Sequence, residues 1–187
     1  MHTVEKIGGT SMSDYVSVRD NIILNQNIEG VYRRIFVVSA YAGITDALLE
    51  HKKSSQPGIY GLFASGIEDD SWQTKCDELH QQLQAINLQL FGQTTLLDNA
   101  NAFLAERMED TIKCLLDLQS LCQHGHFALD AHLATVREML ASIGEAHSAW
   151  NTAELLKRDG VNTCFVDLTG WQDNRHMSLD ERIRLSF

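Results

Sequence analysis

The run Lys6-Ile7-Gly8-Gly9-Thr10-Ser11 places a cation, two adjacent glycines and two hydroxyls within six residues. Glycines let backbone N–H groups approach an anion, and a helix that starts beyond them concentrates unsatisfied donors. A lysine at the end of the preceding strand adds a full positive charge, so the chemistry on offer is phosphate binding. The spacing is neither the Walker pattern nor the GxGxxG fingerprint, and a Gly-Gly turn before a helix is by itself an ordinary turn. A second small-residue loop, Ser39-Ala40-Tyr41-Ala42-Gly43-Ile44-Thr45-Asp46, follows an apolar run. A third element, Ser142-Ile143-Gly144-Glu145, falls inside a helical pattern, where glycine costs about 1 kcal/mol. A helix restarting at Glu145 would place a carboxylate at its N-terminus, able to pair with a ligand ammonium. His124 and His126 offer two imidazoles without a third ligand at a recognisable spacing.

The elements around these residues follow from periodicity. Thr3 to Ile7 alternates and stops at a glycine pair, predicting a strand. A helix follows, with Ser11 and Ser13 as N-caps and Tyr15, Val18 and Ile22 on one face. Arg34 to Val38 is apolar and β-branched, predicting a strand buried on both faces, after which Thr45 or Asp46 caps a helix through Leu49. Strand, glycine loop and helix thus occur twice in fifty residues, the signature of an α/β fold with a parallel sheet, which binds ligands at the carboxyl ends of its strands.

Residues 51–66 form a connector of unassigned structure. From Asp70 a stripe of Trp72, Cys76, Leu79, Leu83, Ile86 and Leu90 predicts a helix ended by Gly92. A second stripe through Leu97, Leu104, Met108 and Leu115 to Cys122 predicts its antiparallel partner. A third helix carries Leu129, Leu133, Val136 and Leu140, is interrupted at 142–145 and resumes to a C-cap at Asp159-Gly160. Thr163 to Leu168 predicts another buried strand, and residues 169–187 show only a weak apolar end.

With 15 Lys+Arg, 25 Asp+Glu and 44% hydrophobic residues in 187, the composition is that of a globular chain with a sizeable core. A net charge of −10 argues against a nucleic-acid partner. No apolar stretch approaches the roughly 18 residues of a membrane span, so a cytoplasmic protein is expected. The four scattered cysteines predict reduced, mostly buried thiols.

On these residues the chain resembles the aspartate kinases of the amino-acid kinase superfamily. Lys6 to Ser11 is similar to their Lys-Phe-Gly-Gly-Thr-Ser motif, Ser39-Ala40 with Gly43-Ile44-Thr45 to their Ser-Ala-x-x-Gly-x-Thr-Asn loop, and Ser142 to Glu145 to their Ser-x-Gly-Glu motif. The opening to about Gly66 is most like the ectoine-associated type. Ile7 replaces the usual phenylalanine and Asp46 the usual asparagine, which adds a carboxylate beside an anion site.

The resemblance implies a three-layer α/β sandwich with a mainly parallel sheet, of which residues 1–187 are the N-terminal, amino-acid-binding part. The nucleotide-binding half and paired ACT regulatory domains are expected to lie outside it, leaving this piece inactive alone. It implies transfer of the γ-phosphate of ATP, with Mg2+, to the side-chain carboxylate of L-aspartate, and assembly as a homo-oligomer through exposed sheet or the Trp72 to Leu90 stripe. Lys6 is then the catalytic cation, Gly8, Gly9, Thr10 and Ser11 the phosphate cradle, and Ser39, Thr45 and Glu145 the aspartate contacts, with no protein metal site. The alternatives are a glutamate or acetylglutamate kinase, and a helical interaction module with purely structural glycine loops.

Overall fold

Two strands, β1 (Thr3–Ile7) and β2 (Arg34–Val38), pair in parallel with Thr3 opposite Arg34 and Ile7 opposite Val38. The computed structural model describes residues 2–24, 31–66, 71–173 and 175–187. Register puts Glu5, Ile7, Phe36 and Val38 on one face and Val4, Lys6, Ile35 and Val37 on the other. The first face meets the core, where Ile7 and Val38 are buried, whereas Val4 is 68% and Val37 50% exposed. The expectation that β2 is buried on both faces is therefore corrected: on the second face Val37 is left half exposed and Ile35 is only half-buried. Arg34 locks the pair by a two-pronged bond to the Glu5 carboxylate (2.6 Å for each prong).

Between the strands run two one-turn helices, α1 (Gly9–Met12) and α2 (Tyr15–Val18), and a π-helical turn over Arg19–Ile23. The π turn carries one residue more per turn, so the inward face passes from Val18 to Ile23 and leaves the predicted Ile22 at the surface. Neither Ser11 nor Ser13 is an N-cap. Gly8 leads α1, and the Asp14 side chain caps α2 by accepting from Ser17 N at 3.1 Å. After β2, Gly43 in the left-handed region (φ 83°) leads α3 (Ile44–Leu48), so Thr45 and Asp46 lie inside its first turn instead of capping it.

The connector contains α4 (Ile59–Ala64), whose Ile59 and Phe63 enter the core. Helices α5 (Ser71–Phe91) and α6 (Thr95–Cys122) form the predicted hairpin, turned at Gly92 with φ 61°. Asp70 lies outside the described residues. Trp72, Cys76, Leu79 and Leu83 are buried within the chain, which withdraws that stripe as a contact for a second copy. Only Cys76 among the thiols is buried; Cys114 and Cys164 are exposed and Cys122 half-buried, and all four are free.

Helix α7 (Leu133–Arg158) is continuous, so the predicted break at residues 142–145 is absent. Gly144 is there for clearance: a Cβ on it would lie 2.7 Å from Ala40 Cβ and 3.0 Å from Ile44 Cγ2. This helix crosses β2, α3 and α4 and packs beside the α5–α6 hairpin, forming the middle of the core. It ends as predicted at Asp159, with Gly160 at φ 84°.

Residues 163–168 form no strand and none of them is fully buried. A strand requires a paired edge, and no described residue supplies one. Side chains fix the segment instead: Phe165 meets Phe103 edge-on at 5.8 Å, and Asp167 pairs with the buried Arg107, whose guanidinium lies between the Phe103 and Trp171 rings. The final helix α8 (Leu179–Ser186) carries a Ser178/Glu181 capping box and is tied back through Arg182 and Asp173 (2.8 Å). No helix of the described residues is long and apolar enough to cross a membrane.

Candidate functional site

The carboxyl ends of β1 and β2 open side by side, joined by a bond from Ser39 N to Ile7 O at 3.0 Å. Both loops therefore leave the sheet at one edge. At Gly9 the approach is so close that a Cβ would fall 2.6 Å from Ala40 O, a contact that any side chain would break. Ser13 stitches the same loops from the other side, since its Oγ accepts from Ala42 N at 3.0 Å and lies 3.3 Å from Gly9 O. The Lys6 ammonium lies over Gly8, 3.8 Å from the position a Gly8 Cβ would take. Cation and glycine backbone thus share one face of the sheet edge.

Helix α7 closes the other side. Gly144 brings it against Ala40, and Ser148 Oγ donates to Ser39 O at 2.8 Å. Glu145, in the same turn, sets its carboxyl against the Ala40 backbone N–H. Burial pushes this carboxyl above its ordinary range, with the Glu145 and Ala40 N–H groups partly offsetting that rise. Its Oε2 is buried and has no hydrogen-bond partner among the described residues. Glu145 lies mid-helix, so no helix N-terminus stabilises it. A buried carboxylate oxygen in that state is a strong acceptor for an ammonium group.

The structure brings Gly9, Ser39 and Glu145 together through the Ser39–Ala40 backbone, while Lys6 stands over Gly8 on the exposed face of the sheet edge. Thr10 and Ser11 are exposed on α1, and Thr45 is half-buried on α3. Their hydroxyls make no side-chain hydrogen bond to these groups among the described residues. Helix α1 is a single turn, so the cradle relies on local N–H groups and Lys6 more than on a macrodipole. Among the described residues no group of three or more His, Cys, Asp or Glu side chains could hold a metal ion.

Sequence reasoning missed what stands behind this loop. Asn87, His147 and Asn151 are buried around one acceptor: Asn87 Oδ1 lies 2.7 Å from His147 Nε2 and accepts from Asn151 Nδ2 at 2.9 Å. Burial holds the His147 imidazole neutral, with its pKa lowered to about 3. The available signal was three polar residues at core-facing positions, Asn87 four after Leu83, and His147 and Asn151 four and eight after Ile143.

Residues 1–185 match the family model described as the amino acid kinase family. The whole chain is 49% identical to a protein of Stutzerimonas stutzeri (strain A1501) named aspartate kinase Ask_Ect. It spans 40% of that relative's length. No solved structure matches.

Proposed function

Because the chain belongs to the amino acid kinase family, we propose that residues 1–187 form the amino-acid-binding part of a cytoplasmic, homo-oligomeric aspartate kinase with a three-layer α/β catalytic domain. The reaction is transfer of the γ-phosphate of Mg-ATP to the side-chain carboxylate of L-aspartate, giving 4-phospho-L-aspartate; the ectoine-associated type fits the resemblance best. The carboxylate, with a pKa near ~3.9, is already ionised at neutral pH, so no general base is required. Catalysis rests on alignment and on charge stabilisation. Lys6 meets the charge on the moving phosphoryl group, and Gly8, Gly9, Thr10 and Ser11 bound its path. Ser39 and Thr45 line the amino-acid pocket, and Glu145 holds the α-ammonium. Residues 1–187 alone bind the amino acid without turning it over, because Lys6, Thr10 and Ser11 stand open to water.

The observation that carries this reading is the unpartnered Oε2 of Glu145, buried beside the loop that packs on Gly9. Calorimetric titration of the 187-residue chain with L-aspartate and with succinate, its analogue without the ammonium, tests it. Wild type should prefer L-aspartate, and Glu145→Gln should remove that preference. Equal affinity of wild type for the two compounds, tighter binding of L-glutamate, or no binding at all overturns the reading.

A further inference from the structure

The polar cluster behind the loop has no place in the chemistry proposed above. It joins three helices to one loop residue. Asn87 on α5 donates to Asn101 on α6 at 3.0 Å and meets His147 and Asn151 on α7, while Asn151 Nδ2 also lies 3.4 Å from the hydroxyl of Tyr41. The Tyr41 ring stands edge-on to His147 with centroids 5.7 Å apart. Tyr41 belongs to the loop that carries Ser39 and Ala40.

Apolar side chains of the same shape would fill this space at similar stability, since buried hydrogen bonds contribute little net free energy once both partners are lost. Directional bonds differ from apolar packing in fixing position. Asn87 Nδ2 donates to Asn101, so its Oδ1 faces His147 and only accepts; the shorter contact, 2.7 Å against 3.2 Å to Asn151 Nδ2, assigns His147 an Nε2–H toward Asn87, leaving the lone pair on the buried and unpartnered Nδ1. Sliding α7 along the loop would break this bond, move Gly144 off Ala40 and carry Glu145 away from the Ala40 N–H.

We infer that His147 is a positioning residue for the amino-acid site: through its Nε2–H to Asn87, and together with Asn151 and Tyr41, it fixes the register of α7 against the Ser39–Ala42 loop and so the place of Glu145. As a statement about amino-acid affinity, this rests on the function proposed above.

The test compares His147→Gln, whose side-chain N–H reaches the Nε2 position, with His147→Asn, whose N–H falls at the Nδ1 position. Both keep a buried amide, and because Asn is one methylene shorter and leaves a small cavity that lowers global stability, the comparison is read from local exchange at the loop relative to the rest of the chain and not from Tm. Amide exchange across Ser39–Ala42, where Ser39 N and Ala42 N are bonded, reports the loop directly. His147→Gln should exchange as wild type and bind L-aspartate within about threefold, and His147→Asn should exchange faster and bind about tenfold more weakly, a difference of ~1.4 kcal/mol. Equal behaviour of the two folded variants overturns the inference. Should His147→Asn not fold, the wild-type imidazole decides: an Nε2–H tautomer unchanged from pH 8 to 5 supports the inference, and the other tautomer or ordinary titration overturns it. Absence of aspartate binding in wild type, with the exchange contrast intact, defeats the proposed function and leaves the positioning of the loop standing.

Discussion

Gly9 and Ala40 touch backbone to backbone across the two loops, so closely that a methyl group on Gly9 would lie 2.6 Å from the Ala40 carbonyl oxygen. Gly9→Ala must therefore part the β1 and β2 loops. It should cost about 1–3 kcal/mol of stability, as overpacking does, and lower L-aspartate affinity in a calorimetric titration. Gly43→Ala is the control, because it meets no neighbouring atom and is strained only by its positive φ. It should lose stability with less loss of affinity.

Gly144→Ala sets two effects of opposite sign against each other. Alanine favours a helix interior by about 1 kcal/mol over glycine, but here its Cβ falls 2.7 Å from Ala40 Cβ. The clash involves side chains fixed in the core, so it outweighs the propensity gain. Net destabilisation of roughly 1 kcal/mol, or a Tm lowered by about 2–4 °C at this chain length, is expected in thermal unfolding.

Acid should weaken the fold before it protonates ordinary carboxylates. His147, held neutral with a pKa lowered to about 3, contributes stability that is present above its unfolded value of 6.5 and is lost as pH falls toward the folded value. Glu145 acts with the opposite sign: its raised pKa gives a contribution that is present below 4.5 and lost as pH rises through the folded value. Urea midpoints between pH 7 and 4 should fall more steeply for wild type than for His147→Gln, which has no group to charge. L-Aspartate affinity should fall on acidification at a pH above that of an ordinary glutamate.

Much of this arrangement was legible, and the misreadings share a cause. The strand pair, the helical hairpin and the Gly160 terminus follow from local periodicity and turn chemistry, which the sequence states directly. Gly144 resembles a helix break in the sequence because the Ala40 methyl it accommodates is over a hundred residues away in the chain. Residues 163–168 have a strand's composition, but strand formation depends on a neighbouring edge that composition does not reveal. The π turn displaced Ile22 by a backbone irregularity without a sequence mark. Helix α8, by contrast, carries its capping-box signature Ser178-Leu179-Asp180-Glu181 in the sequence but no apolar periodicity to extend it. At the site, the side-by-side exit of the Gly9 and Ser39 loops follows from two parallel strands, whereas Ser13, Ser148 and the Asn87–His147–Asn151 cluster require the packing.

Arg107 and Asp167 should respond unequally to removal. The guanidinium is 4% exposed between two aromatic rings, while the carboxylate is 26% exposed and also accepts from Thr169. Asp167→Asn leaves a buried cation without its counter-charge and should cost about 3 kcal/mol or more. Arg107→Met leaves a carboxylate that water can reach and should cost less. Chemical denaturation of both variants checks the order, and the reverse order would contradict this account of residues 163–173.

The proposed division of labour between Lys6 and Glu145 is tested most directly by steady-state kinetics of the proposed aspartate kinase, with L-aspartate varied at saturating Mg-ATP. Lys6→Ala should lower kcat by about 100-fold or more, ~2.7 kcal/mol of transition-state stabilisation, with little change in the KM for aspartate. Glu145→Ala should raise that KM by a similar factor with kcat far less affected. A Lys6→Ala enzyme whose kcat stays within about threefold of wild type, or a Glu145→Ala enzyme with an unchanged KM for aspartate, would contradict the assignment.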